Sequence, residues 1–192
     1  MNKVAIITGS ASGIGAATAV ELSKRGWRVA VNYSKSESEA KKVASTCKDA
    51  IVVQADVGDD GQCRKLAQSA LDQWGRVDAL VNNAGTTKFV KHAELDGLSA
   101  DDFLRIYRLN VVAPFQMTRA CAPALKAARG AVVNVSSVAA LLGTGSSIAY
   151  AASKAALNSL TYSLARVLGP EVRVNAVCPG YVDTPWQTKA LG

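Results

Sequence analysis

Six short runs rich in valine and isoleucine recur along the chain, at residues 4–7, 28–32, 50–54, 79–81, 131–135 and 173–177. Each is apolar at successive positions rather than at alternate ones. Strands of that kind are covered on both faces, as in a parallel sheet. Between the runs lie longer stretches of helical character, at 15–25, 36–47, 59–74, 100–128 and 147–168. Pro114 is expected to kink the fourth or start a new helix within it. Gly26, Gly75 and the pair Gly169-Pro170 stand where three of the others should stop. Strands that alternate with helices predict right-handed crossovers and an α/β fold: a doubly wound parallel sheet, a Rossmann fold, in a single domain over residues 1–192. Ligands bind such sheets beyond the carboxyl ends of the strands, where the strand order reverses.

Composition narrows the function classes. The chain has 192 residues, enough to bury a core, and 49% of them are hydrophobic. No stretch approaches the ~18–20 apolar residues of a membrane span. The N-terminal apolar run ends at Thr8 and Gly9, too soon for a secretory leader, so the expected location is cytoplasmic. Cys47, Cys63, Cys121 and Cys178 are scattered and His92 is the sole histidine, which leaves no metal-ligand spacing and no expected metal. The net charge is +7, but the basic residues are dispersed and carry no nucleic-acid-binding motif. The positive field is read as favouring an anionic cofactor or substrate.

The first strand run leads directly into TGSASGIG, residues 8–15. Glycine permits a tight turn and lets the backbone approach a phosphate closely. The helix that follows offers unpaired N–H groups and the positive end of its dipole to a pyrophosphate. No Lys-Ser/Thr pair follows the last glycine, so the loop is not a P-loop. After the second run the sequence reads VNYSKSE, with no carboxylate at Asn32, Tyr33, Ser34 or Lys35 to hold the ribose 2′-hydroxyl of NAD(H). Ser34 and Lys35 instead suit a 2′-phosphate, which favours NADP(H). Glu37 is a later acid that keeps NAD(H) open.

With NNAG at 82–85, the chain resembles the classical short-chain dehydrogenase/reductase family. TGSASGIG (8–15), ADV (55–57), NNAG (82–85), Ser137 with YAASK (150–154) and CPGYVDT (178–184) carry the resemblance, in family order and across nearly the whole chain. It is nearest to the 3-oxoacyl-acyl-carrier-protein-reductase-like branch. The resemblance implies that Gly9, Ser12, Gly13, Ile14 and Gly15 line the pyrophosphate. It places Asp56 and Val57 at the adenine, and Asn83, Ala84 and Gly85 near the ribose. Pro179, Gly180, Val182 and Thr184 would hold the nicotinamide. For Asp56 and for Pro179-Gly180 a plain turn is the competing reading. The family normally continues into a helical substrate lid and a seventh strand, so the chain is read as C-terminally short, with the sixth strand left as an exposed edge.

The stretch SSVAALLGTGSSIAYAASK, 136–154, carries the expected chemistry. Reducing a ketone requires hydride on carbon and a proton on oxygen. A free tyrosine, with a pKa of about 10, is a poor acid at neutral pH. Tyr150 and Lys154 are four residues apart and share a helix face. A charge ~4 Å away at an effective dielectric of about 20 is worth about 4 kcal/mol, which would lower the tyrosine by roughly three units. The resemblance selects Ser137, thirteen residues before Tyr150, as the hydroxyl that holds the substrate oxygen, and leaves Ser136 as a cap or turn. It gives Asn110 the support of a water in the proton relay; a helix-bending asparagine bonded to its own backbone is compatible with that. It also has Lys154 grip the nicotinamide ribose.

The expected activity is NAD(P)(H)-dependent interconversion of a ketone or 3-oxoacyl group and a secondary alcohol, with Tyr150 as general acid/base. The expected substrate is a small-molecule ketone or alcohol facing Lys88, Phe89, His92, Leu141, Gly143, Thr144, Tyr181 and Trp186. The alternative is a non-catalytic NADP-binding sensor or scaffold. Alanines at 149, 151, 152, 155 and 156 suggest close helix packing and, by family analogy, a homo-dimer or tetramer.

Overall fold

The structure, a computed structural model, describes residues 2–184. Trp186 lies outside the described residues. Strands β1 (Val4–Ile7), β2 (Arg28–Tyr33), β3 (Ala50–Gln54), β4 (Ala79–Asn82), β5 (Ala131–Val135) and β6 (Arg173–Val177) form one sheet in the order β3-β2-β1-β4-β5-β6. Every neighbouring pair is parallel. The chain begins at the centre, builds outward through β2 and β3, then returns to pair β4 with β1 and builds the other way. The order therefore reverses between β1 and β4, and their carboxyl ends flank the crevice that ligands use in such sheets.

Helices α1 (Gly13–Lys24) and α2 (Glu37–Ser45) lie over one face of the sheet. Helices α3 (Asp60–Trp74), α5 (Ala113–Ala128) and α7 (Ile148–Leu168) cover the other. Ile6, Leu66, Leu80, Met117 and Leu125 are fully buried in that second layer. This two-sided cover explains the apolar runs of the inner strands; β6, at the edge of the sheet, departs from the expectation, with Val174 buried and Arg173, Asn175 and Val177 exposed.

Several boundaries are fixed by side chains. Asp59 caps α3 by accepting from the Gln62 amide at 2.9 Å. Ser99 and Asp102 form a reciprocal capping box at the start of α4 (Ala100–Tyr107). Ser147 caps α7 by accepting from the Tyr150 amide at 3.2 Å.

The expected helix at 100–128 is not continuous. It opens into a π turn at Arg108–Val112, and α5 starts directly after it with Pro114 in its first turn, in line with the alternative that Pro114 starts a new helix. A short helix, α6 (Ala139–Leu142), closed by Gly143 at φ +64°, lies where the sequence suggested only a loop. Among the described residues no helix is long and apolar enough to cross a membrane.

Candidate active site

The floor of the crevice is the β1–α1 loop. Gly9 and Gly13 adopt φ of +61° and +57°, a region that only glycine enters cheaply. A Cβ on Gly9 would lie 3.0 Å from the Ala84 Cα, because the loop passes directly under the NNAG backbone. Thr8 Oγ1 accepts from the Asn83 and Ala84 amides, each at 3.0 Å. Asn83 Nδ2 in turn donates to the Thr8 and Gly9 carbonyls at 2.9 and 3.0 Å. Ser12, at the N-cap of α1, is extended and makes no side-chain cap bond, and the first turn holds no acid. The N–H groups of that helix end are thus directed at the crevice without a competing anion.

A cavity of about 630 Å³ fills the crevice. Every residue expected at the cofactor lies on its wall except Gly15 and Lys35. Gly15 is buried behind the loop: a Cβ there would fall 2.5 Å from Asn83 Nδ2 and 2.7 Å from the Gly9 carbonyl oxygen. Its role is close packing of helix against loop rather than lining. Lys35 is exposed beside Ser34, which does reach the wall. Tyr33, the residue before, is buried in the core at 8% exposure.

The structure shows the turn reading of Asp56 and leaves the side chain at the cavity. Its carboxylate accepts from the Gly58 amide at 2.9 Å to close the β3–α3 turn. Sequence reasoning missed Asn32, which it read only as a missing carboxylate. Its Oδ1 accepts from the Gly9 amide at 3.0 Å and its Nδ2 donates to the Ala55 carbonyl at 3.0 Å, tying the ends of three strands together. The available signal was a polar residue inside an apolar strand run, which must find partners when buried.

Ser137, Tyr150 and Lys154 share the far end of the cavity. Helix α7 carries the last two. The Lys154 ammonium is buried, donates to the Val135 carbonyl at 2.8 Å and lies 5.7 Å from the centre of the Tyr150 ring. Burial holds its pKa down to about 8, against an opposing pull from the Cys178 thiol. Burial likewise raises the Tyr150 phenol above its usual range, offset in part by a hydrogen bond with Ser137. The expected lowering of Tyr150 by Lys154 is therefore corrected: burial of the phenol raises it, and burial also disfavours the lysine's own charge.

Ser136 is not a strand-end cap; its buried hydroxyl donates to the Lys154 carbonyl at 3.2 Å. Asn110 is fully buried in the π turn, off the cavity wall. It does not bond its own helix. Its Oδ1 accepts from the Thr86 amide at 2.8 Å, and its Nδ2 donates to the Thr86 carbonyl at 3.0 Å and to Ser153 Oγ at 2.9 Å. It thereby ties the loop after β4 to α7.

Of the expected substrate-facing residues, Phe89, Thr144 and Tyr181 line the cavity. Lys88 pairs instead with Asp102 at 2.7 Å. Leu141, Gly143 and His92 are off the wall. The alanines of α7 divide: Ala149 and Ala151 pack inward, and Ala155 is exposed.

The model of the short chain dehydrogenases matches residues 3–191. The chain belongs to the short-chain dehydrogenase/reductase family. A crystal structure of a Burkholderia xenovorans protein assigned to these enzymes superposes with a TM-score of 0.94 at 46% identity, over 97% of this chain and 80% of that one. A Streptomyces violaceoruber protein named as a ketoacyl reductase of the granaticin polyketide synthase is 44% identical, over 95% of this chain and 74% of its own length. A 3-oxoacyl-[acyl-carrier-protein] reductase of Synechocystis is 36% identical, over 95% and 75%.

Membership makes the chain an oxidoreductase of ketone and alcohol groups and implies a nicotinamide dinucleotide. The short-chain dehydrogenase loop fits one: the uncapped end of α1, the two left-handed glycines and the close NNAG backbone leave room for a diphosphate and no opposing charge. Among the described residues no cluster of His, Cys, Asp or Glu could hold a metal ion.

Proposed function

We propose that the protein reduces a ketone or 3-oxoacyl group to a secondary alcohol with NADPH, using Tyr150 as the general acid. The observation that carries this reading is the meeting of Ser137, Tyr150 and Lys154 at one end of the cavity whose floor is the glycine loop. The bound dinucleotide supplies the hydride. Ser137, already bonded to the Tyr150 phenol, donates to the substrate oxygen and holds it beside that phenol. Tyr150, like any tyrosine, is protonated at neutral pH, burial further favours that neutral form, and it delivers the proton as charge develops on that oxygen. Lys154 favours the resulting phenolate when it is protonated. Its side chain also reaches the part of the cavity assigned to the ribose. Asn110 holds the Thr86 backbone and, through Ser153, the catalytic helix in register.

The NADPH preference rests on Ser34 at the wall, Lys35 beside it, and the absence of a carboxylate at residues 32–35. The relatives named for ketoacyl and 3-oxoacyl reduction support the substrate class. Exposed Phe115, Tyr162 and Val167 on α5 and α7 support a homo-oligomer formed over those helices. Four free thiols suit a reducing, cytoplasmic setting.

The test is a titration with NADPH and NADH by nicotinamide fluorescence, followed by steady-state turnover on a panel of ketones and 3-oxoacyl thioesters. Tight NADPH binding with ketone-dependent oxidation is the expected result. Binding of NADPH with no turnover of any carbonyl would favour a cofactor-sensing role and overturn the reading.

A further inference from the structure

The π turn at Arg108–Val112 points three consecutive side chains in different directions. Leu109 lines the cavity and Asn110 grips the Thr86 backbone. Arg108 reaches the other way. Its Nε donates to the Gly58 carbonyl at 3.0 Å, fifty residues away in sequence, and its Nη2 stands 3.7 Å from Asp56 Oδ2. Gly58 is the residue that lets the guanidinium in: a Cβ there would lie 2.9 Å from Arg108 Nε. Gly58 itself is not in the left-handed region, so its lack of a side chain serves this contact and not the backbone conformation.

We propose that Arg108 is a positioning residue, joining the β3–α3 turn at the adenine end of the cavity to the turn that carries Asn110 at the catalytic end. This rests on the reading above, in which Asp56 meets the adenine. Asp56 closes the turn by accepting from the Gly58 amide, and Arg108 holds that same turn through the Gly58 carbonyl. Occupation of Asp56 is thereby linked through one guanidinium to the helix turn beside Thr86. The π turn carries both contacts, since its two gripping side chains, at 108 and 110, are separated by a single residue.

The test combines a double-mutant cycle with a measurement on the cofactor-free protein. Arg108→Ala should weaken NADPH binding about fivefold, the scale of one modest hydrogen bond, and change kcat less than KM. Gly58→Ala should weaken binding to a similar degree by displacing the guanidinium. In the Arg108→Ala background it should add less, since the guanidinium is gone and only Asp56 Oδ1, 3.1 Å from the added methyl, still meets it. Arg108→Lys should recover part of the loss. In the cofactor-free protein, Arg108→Ala should speed hydrogen exchange at the Thr86 amide, which Asn110 protects.

Wild-type NADPH affinity in Arg108→Ala, full additivity with Gly58→Ala, or unchanged Thr86 exchange would each overturn the linkage. Failure of the wild-type chain to bind either nicotinamide would instead overturn the cofactor reading on which it stands.

Discussion

The Lys154 ammonium donates to the Val135 carbonyl at 2.8 Å and sits 5.7 Å from the centre of the Tyr150 ring. The lysine is therefore anchored to the end of β5 while its charge faces the phenol. Two buried groups that each resist ionisation are held together, and the chemistry depends on which of them carries the proton.

Tyr150→Phe removes the acid and its hydrogen bond with Ser137, while the ring keeps its packing. Turnover should fall by about 10²–10⁴-fold, the range for loss of a general acid, with NADPH affinity unchanged within about twofold. Steady-state kinetics and a fluorescence titration read the two quantities. Retention of most turnover would sink the assignment of Tyr150.

Lys154 makes stability depend on pH in a stated direction. Its pKa is lowered from the ordinary 10.5 to about 8, so the folded state loses this proton before the unfolded state does. Below about 8 both states hold the proton and the buried charge costs stability. Between 8 and 10.5 the unfolded state binds the extra proton, so stability rises with pH. Relative to Lys154→Met, the wild type should gain on the order of 2 kcal/mol between roughly pH 7.5 and 10. Urea unfolding of both proteins at each pH measures it; a difference independent of pH would mean that the lysine is not desolvated.

Ser34→Asp places a carboxylate on the cavity wall where NADP(H) would carry its 2′-phosphate. The ratio of NADPH to NADH affinity should fall by at least about tenfold, through repulsion of the phosphate and a new acceptor for the ribose hydroxyl. Competing titrations decide it. Tyr33 is the wrong place for this change, because an acid there would be buried in the core.

Gly15→Ala forces a methyl group against Asn83 Nδ2 and the Gly9 carbonyl oxygen. The loop must shift, and the two bonds that Asn83 makes to Thr8 and Gly9 weaken with it. A loss of about 1–3 kcal/mol in unfolding free energy, with weaker binding of both dinucleotides, is expected. Equal loss of NADPH and NADH affinity separates this packing effect from the selector at Ser34.

The sheet was legible because its signal is local: short runs of four to six mostly apolar residues rich in Val, Ile and Ala, alternating with helices along the chain. The pair Tyr150 and Lys154 was legible because its spacing is fixed within one helix, the glycine loop because it is one local turn, and Ser137 through the family resemblance. What escaped was long-range. Nothing near Asn110 in sequence announces that its partners are Thr86 and Ser153, and nothing near Asn32 announces Gly9 and Ala55. The π turn escaped too, since proline is the louder helix-breaking signal and stands only two residues beyond Val112. The sign of the Tyr150 shift required burial, which a pairwise estimate from spacing leaves out.

A π turn holds one residue more than the α turn it replaces. The faces of α4 and α5 are consequently offset by about 100° from a continuous helix, the rotation of a single residue. Point substitutions leave that offset in place; an inserted or deleted codon abolishes it. The offset itself is thus sheltered from the commonest kind of genetic drift and exposed to a rarer one. Related chains should keep the length of 108–112 constant and keep the gripping side chains of Arg108 and Asn110, while Val111 and Val112 vary.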